Sequence, residues 1–294
     1  MVRAVADAMA STPPDATANA AASAAPNAMA GTVADAMVRA VAGAVADAMP
    51  GQHRGAGTYA AAMDDPVLAA RELVHNRFPT ARAAFLAGSV LTDRRTPTSD
   101  LDIVVLLDGP PAPNRENLHF RGWPVELFVQ TEAAWRAFAD QETLKRNSPL
   151  LAMCADGLLL TDPNGLGASL QAEARTRWAA GPPPLSDREL DYQRYVLTDL
   201  LDDLRGCADP DERVHLVAHM LQRASELVLL EGGHWLGKGK WLSRRLAGAD
   251  PEMHRALTEA AAQAITGHTN NFTTVVARAL DQAGGPLWDG YTIR

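Results

Sequence analysis

Residues 88–105 read Gly-Ser-Val-Leu-Thr-Asp-Arg-Arg-Thr-Pro-Thr-Ser-Asp-Leu-Asp-Ile-Val-Val. The apolar run at 101–107, followed by the turn sequence Asp-Gly-Pro-Pro, predicts a buried β-strand. Asp100 and Asp102 stand two positions apart at its beginning, so their side chains leave the same face of the strand. Two neighbouring carboxylates repel each other, and a bound cation or a shared proton relieves that repulsion. Hard oxygen ligands at an accessible strand end favour Mg²⁺, which also binds substrate phosphates.

A glycine and a further acidic residue extend this pattern to the neighbouring strands. Gly88 and Ser89 follow a short apolar run, Ala83–Ala87, that predicts the preceding strand. A glycine at this point lets backbone N–H groups approach a phosphate, and the serine adds a hydroxyl donor. Glu126 is the only acidic residue of the next predicted strand, Trp123–Gln130. Three carboxylates from two adjacent strands predict a divalent-metal site for phosphoryl transfer.

This combination resembles the nucleotidyltransferase superfamily that includes DNA polymerase beta. The signature of that superfamily is Gly-Ser, a spacer, Asp-x-Asp on one strand and a third acidic residue on a following strand. The matching residues here are Gly88, Ser89, Asp100, Asp102 and Glu126. A glutamate in the third place is most similar to the aminoglycoside nucleotidyltransferases of the streptomycin/spectinomycin type. That group also carries a C-terminal helical domain that closes over the nucleotide. The resemblance covers residues 70–165 by motif and the rest of the chain by architecture.

The resemblance implies a mechanism and a set of site residues. Asp100 and Asp102 would hold two Mg²⁺ ions, an acceptor hydroxyl would attack the α-phosphorus of ATP, and pyrophosphate would leave. Glu126 either accepts the hydroxyl proton or completes the metal site, and both roles stay open. The candidate nucleotide-binding residues of this part of the chain are Gly88, Ser89 and Ser99.

The second half of the chain has helical periodicity. It follows a stiff Gly-Pro-Pro-Pro linker at 181–184 and opens with a capping box, Ser-Asp-Arg-Glu, at 186–189. The predicted helices occupy residues 187–205, 210–231, 240–247, 251–266 and 271–283. We therefore predict an α+β fold, with a small mixed-sheet nucleotidyltransferase domain at 64–165 and an all-α helical bundle domain at 186–294.

A glycine-rich loop at 232–239 joins two of these helices and leads into Lys240. Its Gly-to-Lys spacing matches a P-loop, but Gly239 replaces the required Ser or Thr and a helix precedes the loop. It is therefore not a Walker motif. In streptomycin-type enzymes a lysine in a comparable place contacts the triphosphate, so we add Lys238 and Lys240 to the candidate nucleotide-binding residues. A solvated loop is the alternative. Arg244 and Arg245 are expected on the surface of the following helix.

Residues 1–60 differ from the rest of the chain in composition. They contain 22 alanines, and Val-Ala-Asp-Ala-Met occurs three times within them. Alanine favours helix but brings little side chain to bury, and four prolines interrupt the segment. We predict a disordered, low-complexity tail. Because ordinary globular composition begins just after Met63, one hypothesis places the true start of the protein at Met49 or Met63.

Charge and composition exclude several classes of protein. The 294 residues include 27 basic and 35 acidic ones, which gives a net charge of −8. That balance disfavours a long nucleic acid as a partner. The sequence predicts no membrane span, because it contains no run of about 18 uncharged apolar residues. Two cysteines allow no disulfide framework and no cysteine-rich zinc site. We expect a cytoplasmic protein.

These observations converge on one expected function and two alternatives. The expected function is Mg²⁺-dependent transfer of AMP from ATP to a hydroxyl of a small, aminoglycoside-like acceptor. The first alternative is a protein hydroxyl as acceptor, as in the minimal nucleotidyltransferase antitoxins, although the large helical half disfavours it. The second is a non-catalytic nucleotide-binding module, which the presence of all three carboxylates disfavours.

Overall fold

The computed structural model describes residues 65–292. The predicted low-complexity tail at 1–60 and the hypothetical start sites Met49 and Met63 lie outside these residues. Within them, no helix combines the length and the apolar character that a membrane crossing requires.

A five-stranded mixed sheet forms the first half of the fold. Its strands are β1 (Ala83–Ala87), β2 (Leu101–Leu106), β3 (Asn114–Phe120), β4 (Trp123–Gln130) and β5 (Leu158–Thr161), in the spatial order β3-β4-β2-β1-β5. Strands β2 and β4 pair in parallel, whereas the other neighbours are antiparallel. The parallel register sets Asp102 opposite Glu126. The two acidic residues therefore lie side by side near the same edge of the sheet.

Nine α-helices occur in the part of the chain that the structure describes. Their bounds are α1 (Pro66–Arg77), α2 (Glu132–Leu144), α3 (Pro149–Asp156), α4 (Leu166–Ala179), α5 (Asp187–Gly206), α6 (Pro210–Glu231), α7 (Lys240–Ala249), α8 (Pro251–Ile265) and α9 (Thr269–Gln282). Polar side chains cap the first turn of several of them. Asp65 accepts hydrogen bonds from the first turn of α1, Thr131 from that of α2, and Ser186 and Glu189 form the capping box of α5.

Alternation along the central strands buries both faces of the sheet. Leu101, Ile103 and Val105 pack on the face covered by α1. Val104 belongs to the core on the other face, together with Trp135 of α2 and residues of α3 and α4. Asp102 lies two positions before Val104, so it belongs to this second face. Helices α5–α9 enclose a separate core, in which Leu197, Met220, Leu257 and Phe272 are fully buried.

The α+β class is confirmed, as are the five predicted C-terminal helices within one or two residues at each end. Three elements, β3, α3 and β5, were not predicted from the sequence. Strand β3 is an edge strand with mostly exposed polar residues, so it lacks the apolar alternation that marks a half-buried strand. Helix α3 has 8 residues and β5 has 4, which is too short for periodicity to be recognised.

The loop between α6 and α7 joins the helical half to the sheet half. Its Trp235 is only 5% exposed and belongs to the core beneath the sheet. The indole stacks on Trp178 of α4 with 5.1 Å between ring centroids, and its Nε1 donates to the Trp178 carbonyl at 2.8 Å. From α7, the guanidinium carbon of Arg245 lies 4.2 Å from the centroid of the Trp178 ring. The prediction that Arg245 is a surface charge is wrong, because it packs against this aromatic stack with its Nε buried.

A second connection holds the linker between the two halves. Arg146, just after α2, donates two hydrogen bonds of 2.8 Å to the carboxylate of Glu189. It also donates to the carbonyls of Pro183 and Pro184, at 2.9 Å each. A planar guanidinium suits this forked arrangement, and its side chain is only 14% exposed. Arg146 therefore fixes the start of α5 against the end of α2.

Candidate active site

The carboxylate of Asp102 lies against the turn that ends β1. Ala87 pairs with Asp102 across the β1–β2 ladder, and the chain then turns at Gly88 with a φ of +94°. A Cβ atom on residue 88 would overlap Oδ2 of Asp102. The backbone conformation therefore favours glycine here, and a larger residue would also push the carboxylate of Asp102 aside. Its predicted role in phosphate binding stays a prediction.

Burial raises the pKa of Asp102 from 3.8 to about 7. Loss of hydration is the largest cause, and the negative charges of Asp100 and Glu126 follow. The positive charges of Lys240 and Arg115 offset part of this rise. Two of the predicted carboxylates, Asp100 and Glu126, therefore lie close enough to the third, Asp102, for their charges to act on it.

The carboxylate of Glu126 is engaged by a guanidinium. Arg115 of β3 donates from Nη2 to Oε2 of Glu126 at 2.7 Å. Its guanidinium carbon lies 4.8 Å from the centroid of the Phe128 ring. Across residues 65–292, no three His, Cys, Asp or Glu side chains are gathered closely enough to hold a metal ion. The pairing of Glu126 with Arg115 explains this finding, because it keeps the Glu126 carboxylate away from the two aspartates.

Two buried serines close the loop that separates Gly88 from Asp100. The Oγ atoms of Ser89 and Ser99 are 3.0 Å apart, and Ser99 Oγ also accepts from the backbone N–H of Thr96. These bonds fix both ends of the exposed segment 91–98. The observed role of both hydroxyls is therefore to hold the loop in place, while nucleotide binding by either serine stays a prediction.

The two lysines of the glycine-rich loop act on different carboxylates. Lys240, the first residue of α7, lowers the pKa of Asp102, which places its charge near the carboxylate group. The charge of Lys238 instead acts on Glu142 in α2. Burial raises the pKa of Glu142 above its ordinary value overall, and this carboxylate accepts bonds from Ser148 Oγ and the Leu150 N–H. Of the two predicted lysines, Lys240 is the one whose charge acts on a carboxylate of the candidate site.

A cavity of about 510 Å³ opens between the two halves of the fold. Basic side chains outnumber acidic ones in its lining, which includes Lys145, Arg146, Arg188, Glu189, Arg223 and Glu226. The tyrosines Tyr192 and Tyr291 also line it. The overall negative charge of the chain therefore does not extend to this cavity, whose composition favours an anionic group.

The contacts of Arg115 and Arg245 were not predicted from the sequence. Arg115 lies on β3, the strand that was not predicted, so nothing connected it with Glu126. The register of β3 on β4 sets Asn117 opposite Glu126 and Arg115 opposite Phe128, which brings the arginine to the same face. For Arg245, an available signal was the tryptophans at 178, 235 and 241, which give an arginine flat surfaces on which to stack.

Comparisons with known proteins give a distant likeness among solved structures. No protein-family model matches the sequence, and the search of curated proteins found no significant similarity. Among solved structures, the chain is similar to a nucleotidyltransferase-like protein from Exiguobacterium sibiricum 255-15. The identity is 14%, the alignment covers 74% of this chain and 77% of that one, and the TM-score is 0.39.

Proposed function

We propose that this chain is a Mg²⁺-dependent nucleotidyltransferase that transfers AMP from ATP to a hydroxyl of a small-molecule acceptor. The observation that carries the proposal is the pairing of Asp102 with Glu126 on parallel strands, with Asp100 and the cation of Lys240 beside Asp102. Phosphoryl transfer depends on positioning and on neutralising the charge of the phosphates. Carboxylates that hold divalent cations would position the phosphates. Those cations and a lysine would neutralise the phosphate charge.

The donor chemistry at this site fits a divalent cation. Asp102 has a pKa of about 7 because it is partly withdrawn from water beside two further carboxylates, and a cation would favour its ionised form. Asp100 and Asp102 would hold Mg²⁺, with Glu126 as a third ligand or as the general base. The bound ions would neutralise phosphate charge and make the α-phosphorus a better electrophile.

The chain's own residues have separate tasks in the proposed reaction. Lys240 would bind a phosphate oxygen of ATP as a point charge from the helical half. The acceptor oxygen attacks the α-phosphorus, the bond between that phosphorus and the bridging oxygen of the β-phosphate breaks, and pyrophosphate leaves. Glu126, as the base, would take the hydroxyl proton, for which it must come within hydrogen-bond distance of the acceptor.

The test is a transfer assay with defined donors and acceptors. Purified protein is incubated with Mg²⁺, each of the four labelled NTPs and a panel of aminoglycosides and aminocyclitols, while pyrophosphate release and product mass are followed. We expect release with ATP and one acceptor, and a product heavier by AMP. Release of pyrophosphate with labelling of a protein would indicate a protein hydroxyl as acceptor. Nucleotide binding without release under any condition would indicate a non-catalytic module.

Two aspartates of the same stretch provide a matched comparison. Asp100→Asn should lower turnover by at least about a hundredfold, because it removes a carboxylate that would hold the Mg²⁺ needed to neutralise the phosphate charge. Asp108, just beyond the other end of β2, pairs with Arg82 and has a side chain 76% exposed. Asp108→Asn should leave turnover unchanged. Equal activity of both variants and the wild type would refute the proposed site.

A further inference from the structure

Arg115 is the one guanidinium bonded to a carboxylate of the proposed site among residues 65–292. It comes from the edge strand β3, donates to Glu126 and rests on the ring of Phe128. The arginine's side chain is 42% exposed and that of Glu126 is 28% exposed. An exposed ion pair of this kind contributes little to stability, so its presence at the site calls for a reason other than folding.

The neighbouring residue of β3 offers a direct comparison. Glu116 pairs with Arg77 of α1 at 2.5 Å, with similar exposure of 36% and 41%. Because side chains alternate along a strand, this pair lies on the opposite face from Arg115. Arg115 differs from Arg77 in one electrostatic respect: its charge also acts on Asp102, whose pKa it lowers. Strand β3 thus presents one ion pair to the α1 face and another to the carboxylates.

We propose that Arg115 is an internal counterion that holds Glu126 until a divalent cation displaces it. The inference rests on the proposed function, since it assigns the three carboxylates to a metal site. Without a cation, Glu126 would be a third negative charge beside Asp100 and Asp102. The guanidinium of Arg115 balances that charge by pairing with the Glu126 carboxylate. When the dication arrives, Glu126 turns from Arg115 to the cation or to the acceptor. The ring of Phe128 remains as a resting surface for the released guanidinium.

This exchange has a consequence that a structural ion pair does not have. A cation must compete with Arg115 for Glu126, so removal of the arginine should make metal binding tighter. A residue that only supported the strand or oriented the site would have the opposite effect, since its loss would weaken metal binding. The sign of the change in affinity therefore separates the two roles.

The experiment measures Mn²⁺ binding to the full chain by isothermal titration calorimetry, without nucleotide, at pH 8. We expect Arg115→Met to bind Mn²⁺ about three- to fivefold more tightly than the wild type, as expected for loss of one exposed competing ion pair. Arg115→Lys keeps the charge but replaces the planar guanidinium that rests on Phe128 with a more strongly hydrated ammonium, so its affinity should lie between the two. The control Arg77→Met should bind like the wild type. Unchanged or weaker binding by Arg115→Met overturns the inference.

Two further measurements separate failure of this inference from failure of the proposed function. Asp102→Asn should abolish Mn²⁺ binding, and a wild type that binds no Mn²⁺ would overturn the proposed metal site itself. Circular dichroism and the urea midpoint report whether each variant is folded. If Arg115→Met does not fold, Arg115→Lys still decides, because a lysine variant that binds no more tightly than the wild type contradicts the exchange.

Discussion

Gly88 gives the candidate site its space, and its replacement should damage the site directly. In Gly88→Ala, the new methyl group meets Oδ2 of Asp102 and the backbone is strained by its positive φ. We expect a stability loss of about 1–2 kcal/mol and a fall in turnover of about a hundredfold, because the carboxylate is displaced. Urea unfolding and pyrophosphate release measure the two effects.

Gly165 serves as the control for backbone strain alone. It has a φ of +78°, and a Cβ atom there would meet nothing within 4 Å. Gly165→Ala should therefore lose about 1 kcal/mol of stability and no turnover. If Gly88→Ala kept full activity while losing stability as Gly165→Ala does, the contact with Asp102 would have no functional importance.

Asp102 should make the stability of the metal-free protein depend on pH. Its pKa is about 7 in the folded state and 3.8 as the ordinary value, so the folded state binds its proton more tightly. Its destabilising effect is therefore absent below about pH 4, grows as pH rises, and is complete above about pH 7. Asp102→Asn should be more stable than the wild type at pH 8, by at most about 4 kcal/mol, and the gain should vanish toward pH 4.

Urea unfolding at intervals between pH 4 and 8, with a chelator present, checks this prediction. Asp108→Asn is the control, and its difference from the wild type should show no rise over the same range. Added Mg²⁺ should stabilise the wild type at pH 8 and leave Asp102→Asn unchanged. A difference between Asp102→Asn and the wild type that does not vary with pH would contradict the burial of this carboxylate.

Strong local patterns decided which elements could be predicted from the sequence. In helices α5 and α6, the capping residues, the length and the apolar periodicity all indicate the same helix. Their predicted bounds were therefore accurate. Strand β3 has none of these, because an edge strand needs no continuous apolar face. Missing it removed Arg115 from the predicted site, since the pairing of Arg115 with Glu126 depends on a register that only the folded sheet defines.

Helix α7 begins with Lys240 and also carries Arg245, which packs on the Trp178 ring of the sheet half. This contact should hold the helix, and with it Lys240, in position. In Arg245→Met, loss of the contact with Trp178 should cost about 1–2 kcal/mol of stability. The apparent KM for ATP should rise several-fold while kcat changes little, because Lys240 is displaced from its position near Asp102. Steady-state kinetics with varied ATP measure this change. In Arg245→Lys, the apparent KM for ATP should lie between those of the wild type and Arg245→Met.

The adjacent arginine is a matched control for the stack. Arg244 lies over Trp241 of its own helix, with 4.9 Å between guanidinium carbon and ring centroid. Arg244→Met should leave the KM for ATP unchanged. Equal changes in both variants would mean that the charge of α7, and not the contact across the two halves, determines ATP binding.

The two halves of the molecule are also held by Arg146, whose four hydrogen bonds join the end of α2 to the linker and α5. Arg146→Met should destabilise the protein by about 2 kcal/mol, since it leaves two linker carbonyls and a carboxylate without this partner. Arg136 pairs with Glu132 and Glu173 inside the sheet half and is 42% exposed. Arg136→Met should therefore cost less than about 1 kcal/mol. Urea unfolding compares the two variants.

Glu189 gives the same connection a pH dependence of known sign. The hydrogen bonds from Arg146, and then those from Ser186, lower the pKa of Glu189 from 4.5 to about 2. Its contribution to stability is therefore present above about pH 4.5 and is lost as pH falls through about 2. The stability difference between the wild type and Glu189→Gln should be constant from pH 5 to 8 and shrink below pH 4.5. Urea midpoints at pH 7, 4 and 3 provide the measurement.

Trp235 limits how the protein can be divided. The proline-rich linker at 181–184 would be the natural boundary between two separately produced fragments. The indole of Trp235, which completes the core beneath the sheet, lies C-terminal to that boundary. A fragment that stops at the linker would have a gap the size of an indole and an exposed Trp178, and its counterpart would carry a tryptophan with no site to fill. Each fragment produced alone should aggregate, whereas co-expression should allow the two to recombine into an active, non-covalent pair.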